Sequence, residues 1–179
     1  MNTRPYALLD SETLTEWQGF RLTRERIQLP DGSQFTRHAV RHPGAVLVLP
    51  RLADGTLLLV HQFRHAPDCY LLEFPAGTLE RDESPLECAR RELAEEVGQR
   101  AASWRELGTL HPAPGFCDEQ MYCFLAEDLE PVPAHPEADE FIQVRRLALS
   151  ELEAEIAEGS VTDAKTLAIY ARARAMGLL

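Results

Sequence analysis

The sequence predicts an α/β protein with a strand-rich N-terminal extension. Three observations carry that reading. Apolar runs bounded by turn residues recur through the first 75 positions, a capped helix stands at 84–98, and two further helical stretches close the 179-residue chain.

Residues 18–42 read as two strands around Pro30-Asp31-Gly32, where proline presets one backbone angle and aspartate and glycine favour the turn. They are expected to form an N-terminal hairpin. The runs 45–49 and 56–63 flank Ala53-Asp54-Gly55 and are expected to form a second hairpin, and 70–74 is a further strand leading toward the helix. In that helix Ser84 can cap, Pro85 suits the first helical position, Glu87 sits where a capping box needs its acid, and Gly98 supplies the stop. Leu86, Leu93 and Val97 recur at helical spacing, so this face should dock on a sheet. Strands are expected near 104–110 and 120–125, then a Pro-rich loop over 131–136 and a strand over 141–146. Of the two closing helices, one is expected to be capped by Ser150 with Glu153 completing the box, and the other to run over 163–176.

The chemistry lies in the first helix and the segment before it. Gly77, Glu83, Arg91-Glu92, Glu95-Glu96 and Gly98 form a fixed register. At 100° per residue Glu92 and Glu96 share one flank and Glu95 lies slightly further round. Three carboxylates therefore converge and call for a cation between them. Hard oxygen donors in this number suit Mg²⁺ or Mn²⁺, which also bridge to phosphates. Arg91 can steady one of the acids. Pro75-Ala76-Gly77 would let the backbone turn sharply, so that a main-chain carbonyl, that of Ala76, faces the same ion. Taken alone, Glu95-Glu96 also fit a solvated acidic helix face. The whole array arises by chance with odds of roughly one in 10⁵ at ordinary residue frequencies, which decides against that alternative.

The array resembles the Nudix box, G-x5-E-x7-R-E-U-x-E-E-x-G-U with U a bulky aliphatic residue, and departs from it only at Gln99, a packing position. The resemblance implies an α/β/α sandwich around a mixed sheet, and hydrolysis of a nucleoside diphosphate linked to a further moiety. His111-Pro112-Ala113-Pro114-Gly115-Phe116 looks like the Pro-Gly-Phe loop of ADP-ribose pyrophosphatases, though an ordinary turn would use the same residues. Asp163-Ala164-Lys165-Thr166-Leu167 looks like the opening of that subfamily's last helix, and equally like a capped surface helix start. Glu73 matches the E-x-P-A-G lead-in to the box, Arg64 resembles an arginine that reaches substrate, and Arg37 resembles another, although the glutamate expected next is His38.

By this resemblance two or three Mg²⁺ ions are held by Glu92, Glu96 and the Ala76 carbonyl with Glu95 assisting, and substrate is met by Arg37, Arg64, Pro114, Gly115 and Phe116. Glu83 braces the loop. The general base comes from the acidic stretch holding Glu137, Asp139 and Glu140, with Glu140 the choice. The implied reaction is Mg²⁺-dependent cleavage of ADP-ribose to AMP and ribose 5-phosphate. Another nucleoside diphosphate sugar such as GDP-mannose is the rival substrate, and a non-catalytic nucleotide-binding module is disfavoured because every box acid is present. Residues 1–43 would form a strand region that joins a homodimer, and 44–179 the hydrolase domain.

Composition sets the outer limits. With 45% hydrophobic and 26% charged residues the chain suits a globular protein, and a net charge of −11 argues against binding a nucleic-acid backbone. Cys69, Cys88, Cys117 and Cys123 show neither C-x-x-C nor metal-type spacing, so reduced thiols in a cytoplasmic protein are expected. No apolar run approaches the roughly 18 residues of a membrane span, and no secretory profile opens the chain.

Overall fold

The computed structural model describes residues 4–134 and 141–179. The chain separates into two compact units, one running to Pro43 and including His111–Gln120, the other made of Gly44–Leu110 and Met121–Leu179.

The first unit is an antiparallel three-stranded sheet in the order β1 (Ala7–Trp17), β2 (Phe20–Gln28), β3 (Gln34–Arg41). The expected hairpin is β2–β3, with Asp31 Oδ1 accepting from the Ser33 amide at 3.0 Å in its turn. The additional strand β1 was not expected. Every residue of β1 is exposed, so no one-sided apolar pattern marks it, and it joins β2 through Gln18-Gly19 with φ of 44° and 85°. Positive φ at both central residues matches the twist of a two-residue hairpin loop.

The second unit contains β4 (Ala45–Pro50), β5 (Leu57–Arg64), β6 (Cys69–Glu73), β7 (Ala76–Thr78), α1 (Pro85–Val97), β8 (Gln99–Leu110), β9 (Met121–Pro131), β10 (Ile142–Leu147), α2 (Leu149–Glu158) and α3 (Ala164–Ala175). Its strands form a mixed sheet β7-β4-β9-β8, in which β4 and β9 run parallel, and an antiparallel sheet β10-β5-β6. The expected hairpin between 45–49 and 56–63 is therefore corrected, because β4 and β5 lie in different sheets. All of β4 and residues 57–60 of β5 are buried, as suits strands covered on both faces.

Alternation along these strands sorts the core into two layers. Leu47, Leu49, Leu57, Leu59, Cys123 and Leu125 pack with Leu152 of α2 and Ile169 and Ala173 of α3. Their neighbours Val46, Val48, Leu58, Val60, Phe124 and Ala126 pack with Cys88, Ala89, Leu93 and Val97 of α1. Successive side chains of a strand point to opposite faces, so helices cover both faces and the unit is an α/β/α sandwich.

The helix caps follow the local chemistry. Ser84 caps α1 with Glu87 completing the box, and Gly98 ends it at φ 66°. The cap of α2 is Ala148, two residues before the expected Ser150. Glu151 accepts from the Ala148 amide at 2.7 Å, and the helix phase that buries Leu152 prevails over a Ser150 cap. α3 is capped by Asp163, which accepts from the Thr166 amide at 2.9 Å. The fully buried Thr166 hydroxyl in turn accepts from the Phe74 amide at 2.8 Å, fastening α3 to the segment after β6.

Thr166→Val keeps the shape of the side chain but strands a buried amide. A loss of about 1–3 kcal/mol is expected in urea unfolding, the cost of leaving one buried donor unsatisfied.

Candidate active site

Capping fixes the phase of α1, and its apolar face then dictates where the acids fall. With Leu93 and Val97 turned into the core, Glu92 and Glu96 are carried to the edge of the sheet beside β7, where they are only 8% and 4% exposed. Glu96 Oε2 accepts from the Ala76 amide at 3.2 Å, so the segment before the helix meets the helix through the Ala76 N–H, where a shared ion on the Ala76 carbonyl was the expectation. Gly77 has a different reason from the one expected. Its φ is not positive, and a Cβ there would fall on the Glu92 carboxylate, so the glycine supplies room rather than a sharp turn.

Arg91 does more than steady one acid. Its guanidinium grips Glu83 with two bonds of 2.9 and 3.0 Å, reaches Glu92 at 2.6 Å and Glu95 at 3.2 Å, and donates to the Thr78 carbonyl at 3.2 Å. The planar fork of arginine suits such multiple carboxylate contacts. The Arg91 bonds, assisted by the backbone, hold the Glu83 carboxyl down at about 2. Among the described residues no group of three or more His, Cys, Asp or Glu side chains already stands as a metal cluster. Arg91 occupies the centre of the acids. The donor set is nonetheless all oxygen, with two buried carboxylates one helical turn apart, and fits a hard divalent cation.

A second constellation lies where β5 and β6 end. Glu73 is fully buried, and Arg64 grips it through Nε at 2.8 Å and Nη2 at 2.7 Å. Lys165 donates to the same Glu73 oxygen that Arg64 Nη2 reaches, and to Asp163 at 2.9 Å. Burial pushes the Glu73 carboxyl up, but the two cations outweigh it and keep the carboxylate ionised. The D-x-K-T segment is thus a capped helix start, though not a surface one. The pairing of Lys165 with Glu73 spans 92 positions, and the only signals for it in the sequence were the lone lysine and the glutamate before Pro75.

The remaining candidates belong to the first unit. Arg37 is exposed on β3 with its guanidinium 5.4 Å from the centre of the Phe35 ring. Pro114-Gly115 form a turn closed by the Phe116 and Cys117 amides on the Ala113 carbonyl, and the Phe116 carbonyl accepts from the Val40 amide at 2.7 Å. Arg41 and Asp118, 2.9 Å apart, tie the same segment to β3 and leave the Phe116 ring 63% exposed. Glu137, Asp139 and Glu140 lie outside the described residues.

The NUDIX domain model matches residues 41–168. The chain is 38% identical over 144 residues to the ADP-ribose pyrophosphatase of Bacillus subtilis (strain 168), covering 79% of this chain and 78% of that protein. It is 39% identical over 144 residues to the ADP-ribose pyrophosphatase of Mycobacterium tuberculosis, covering 78% and 70%. A GDP-mannose pyrophosphatase of Yersinia enterocolitica is 38% identical over 148 residues, covering 78% and 77%. A solved structure described as that of an ADP compounds hydrolase shares the fold, with a TM-score of 0.85 at 23% identity over the whole of both chains.

Three outcomes follow from this geometry. Gly77→Ala should lower stability by about 1–3 kcal/mol, the usual cost of overpacking, visible as a reduced Tm. Gly115→Ala, with open space around its Cβ, should leave Tm unchanged. Because the Glu83 carboxyl is depressed from 4.5 to about 2, its ion pair contributes fully above pH 4.5, and that stability is lost as pH falls toward 2. Glu83→Gln should flatten this acid limb when unfolding is followed from pH 6 to pH 2.

Proposed function

The chain belongs to the NUDIX domain family, and from that premise we propose that it hydrolyses the diphosphate bond of ADP-ribose to AMP and ribose 5-phosphate. The observation that carries this reading is the buried pair Glu92 and Glu96, set against Ala76 and flanked by Arg91. The similarity to two ADP-ribose pyrophosphatases supports the choice of substrate.

Glu92, Glu96 and the Ala76 carbonyl would hold the divalent cation, with Glu95 beside them, and we assign it to Mg²⁺, with Mn²⁺ as the substitute. A cation bound there neutralises diphosphate charge and makes water a better nucleophile near neutral pH. The chain's own residues do the remaining work. Arg91 pairs with Glu83, Glu92 and Glu95 and orients them. Arg64, at the edge of the second constellation and 37% exposed, is the cation offered to a phosphate, and Arg37 and the Pro114-Gly115-Phe116 turn are assigned to substrate on the resemblance. The general base is assigned to Glu140 on the same ground.

The β1–β3 sheet exposes Leu8, Leu14, Trp17 and Phe35, which supports a homodimer formed through it. Among the described residues no helix is long and apolar enough to cross a membrane, and the four unpaired cysteines suit a reducing cytoplasm. An excess of eleven negative charges speaks for a small-molecule substrate rather than nucleic acid.

Purified protein with Mg²⁺ should release AMP and ribose 5-phosphate from ADP-ribose faster than it cleaves GDP-mannose, NADH or diadenosine polyphosphates. Glu96→Gln should lower kcat by roughly a hundredfold or more, since it removes a charge from the cation site. Glu140→Gln should cost about 10²–10⁴-fold if it is the base. Turnover of GDP-mannose alone would replace the substrate assignment, as the Yersinia relative would then indicate. No turnover of any substrate would overturn the reading.

A further inference from the structure

Two cations share one carboxylate beside the candidate active site. Arg64 Nη2 and the Lys165 ammonium both donate to Oε2 of Glu73, a carboxylate with no exposure to solvent. Their own surroundings differ. Lys165 is deeply set, its side chain 14% exposed, and Asp163 holds it at 2.9 Å while that same aspartate caps α3. Arg64 ends its strand with more than a third of its side chain in solvent. The charge of Glu96 also acts on Arg64, so the guanidinium stands within electrostatic reach of the acids of α1.

A buried carboxylate stripped of its only cation is strongly disfavoured. If Arg64 were the sole partner of Glu73, moving it to a phosphate would leave a bare charge in the interior. Lys165 removes that obstacle, because it stays on Glu73 when Arg64 leaves. It also crowds Arg64 at the shared oxygen, weakening the grip that must be broken. We infer that Lys165 is a positioning residue for substrate binding: it is the permanent counter-ion of Glu73 and so frees Arg64 to exchange that carboxylate for a phosphate of the nucleoside diphosphate. This rests on the proposed function only in taking Arg64 as the phosphate contact. The role falls to a lysine held by its own acid, across a helix cap, rather than to a residue that touches substrate.

The exchange predicts a split between binding and turnover. In Lys165→Met the remaining pair of Arg64 and Glu73 tightens, so KM for ADP-ribose and Kd for ADP should rise about tenfold, the low end of coupling between close charge pairs, while kcat changes less than twofold. Adding Glu73→Gln to Lys165→Met removes the charge that traps Arg64 and should restore both constants. A simple loss of packing would not be repaired in this way. In the unaltered protein the Arg64 Nε–Hε resonance should shift when ADP is titrated in with Mg²⁺, a readout that needs neither variant to fold. An unmoved resonance, an unchanged Kd in Lys165→Met, or a double variant no better than the single one would overturn the inference. Failure of the unaltered protein to cleave ADP-ribose, with the resonance still shifting on ADP, would remove the proposed substrate and leave the exchange standing.

Discussion

Everything around the candidate site depends on holding two carboxylates, Glu92 and Glu96, out of water on one flank of α1. An isolated ion placed so deep would be driven to its neutral form, because burial penalises charge by far more than an exposed surface does. The structure offsets this with a small set of devices. Arg91 supplies positive charge to Glu92 and to its neighbours Glu83 and Glu95, the Ala76 amide donates to Glu96, and Gly77 leaves the space that Glu92 fills. None of these works unless the helix keeps its phase. A slip of one residue would rotate the acids by 100° and turn Glu92 toward the layer that holds Val46 and Leu93. The Ser84 cap and the Gly98 stop, at the two ends of α1, pin that phase.

The second support is long range. β6 carries Glu73 to the end of its sheet, and the next residue but two opens β7 beside the acids. Two bonds from α3 hold this short crossing, one from Lys165 to Glu73 and one in which Thr166 accepts from Phe74, each spanning 92 positions. Asp163 serves both, since it caps the helix and binds the lysine. The last helix is therefore part of the site's scaffold as well as a cover for one face of the core, where Ile169 and Ala173 are fully buried.

What was legible in the sequence divides along the same line between local and distant. The α1 caps, its apolar stripe and the flank carrying Glu92 and Glu96 depend on residues within fifteen positions of one another, and all were readable. The pairing of β4 with β9 was not. A strand buried on both faces reads as a continuous apolar run, and such a run identifies a strand without naming its neighbour. The turn at Asp54-Gly55 then suggested a hairpin that the two sheets do not form. β1 escaped notice for the opposite reason, having no buried face at all. Within the site, the threefold grip of Arg91 was underestimated because i,i+4 geometry foretells its contact with Glu95 but not the return of the loop that brings Glu83 back. Gly77 was assigned a conformational reason when the structure gives a steric one.

The charges gathered around the candidate site bear on how an anion can be received there. Glu73, Glu80, Glu83, Glu92, Glu95, Glu96 and Asp163 present seven carboxylates around the three cations Arg64, Arg91 and Lys165, and every one of those cations already has an acid partner. Arg91 is further committed to the Thr78 carbonyl, and Lys165 is the least exposed of the three, so Arg64 has the most freedom to turn outward. A diphosphate approaching such a surface would be repelled unless positive charge arrived with it, because clefts of one sign focus their field on whatever enters. On the proposed function this excess of acid would make the site selective. On the proposed function it favours a substrate that travels with a divalent cation over a bare anion, and it leaves Arg64, whose place on Glu73 Lys165 can cover, as a cation offered to the phosphate.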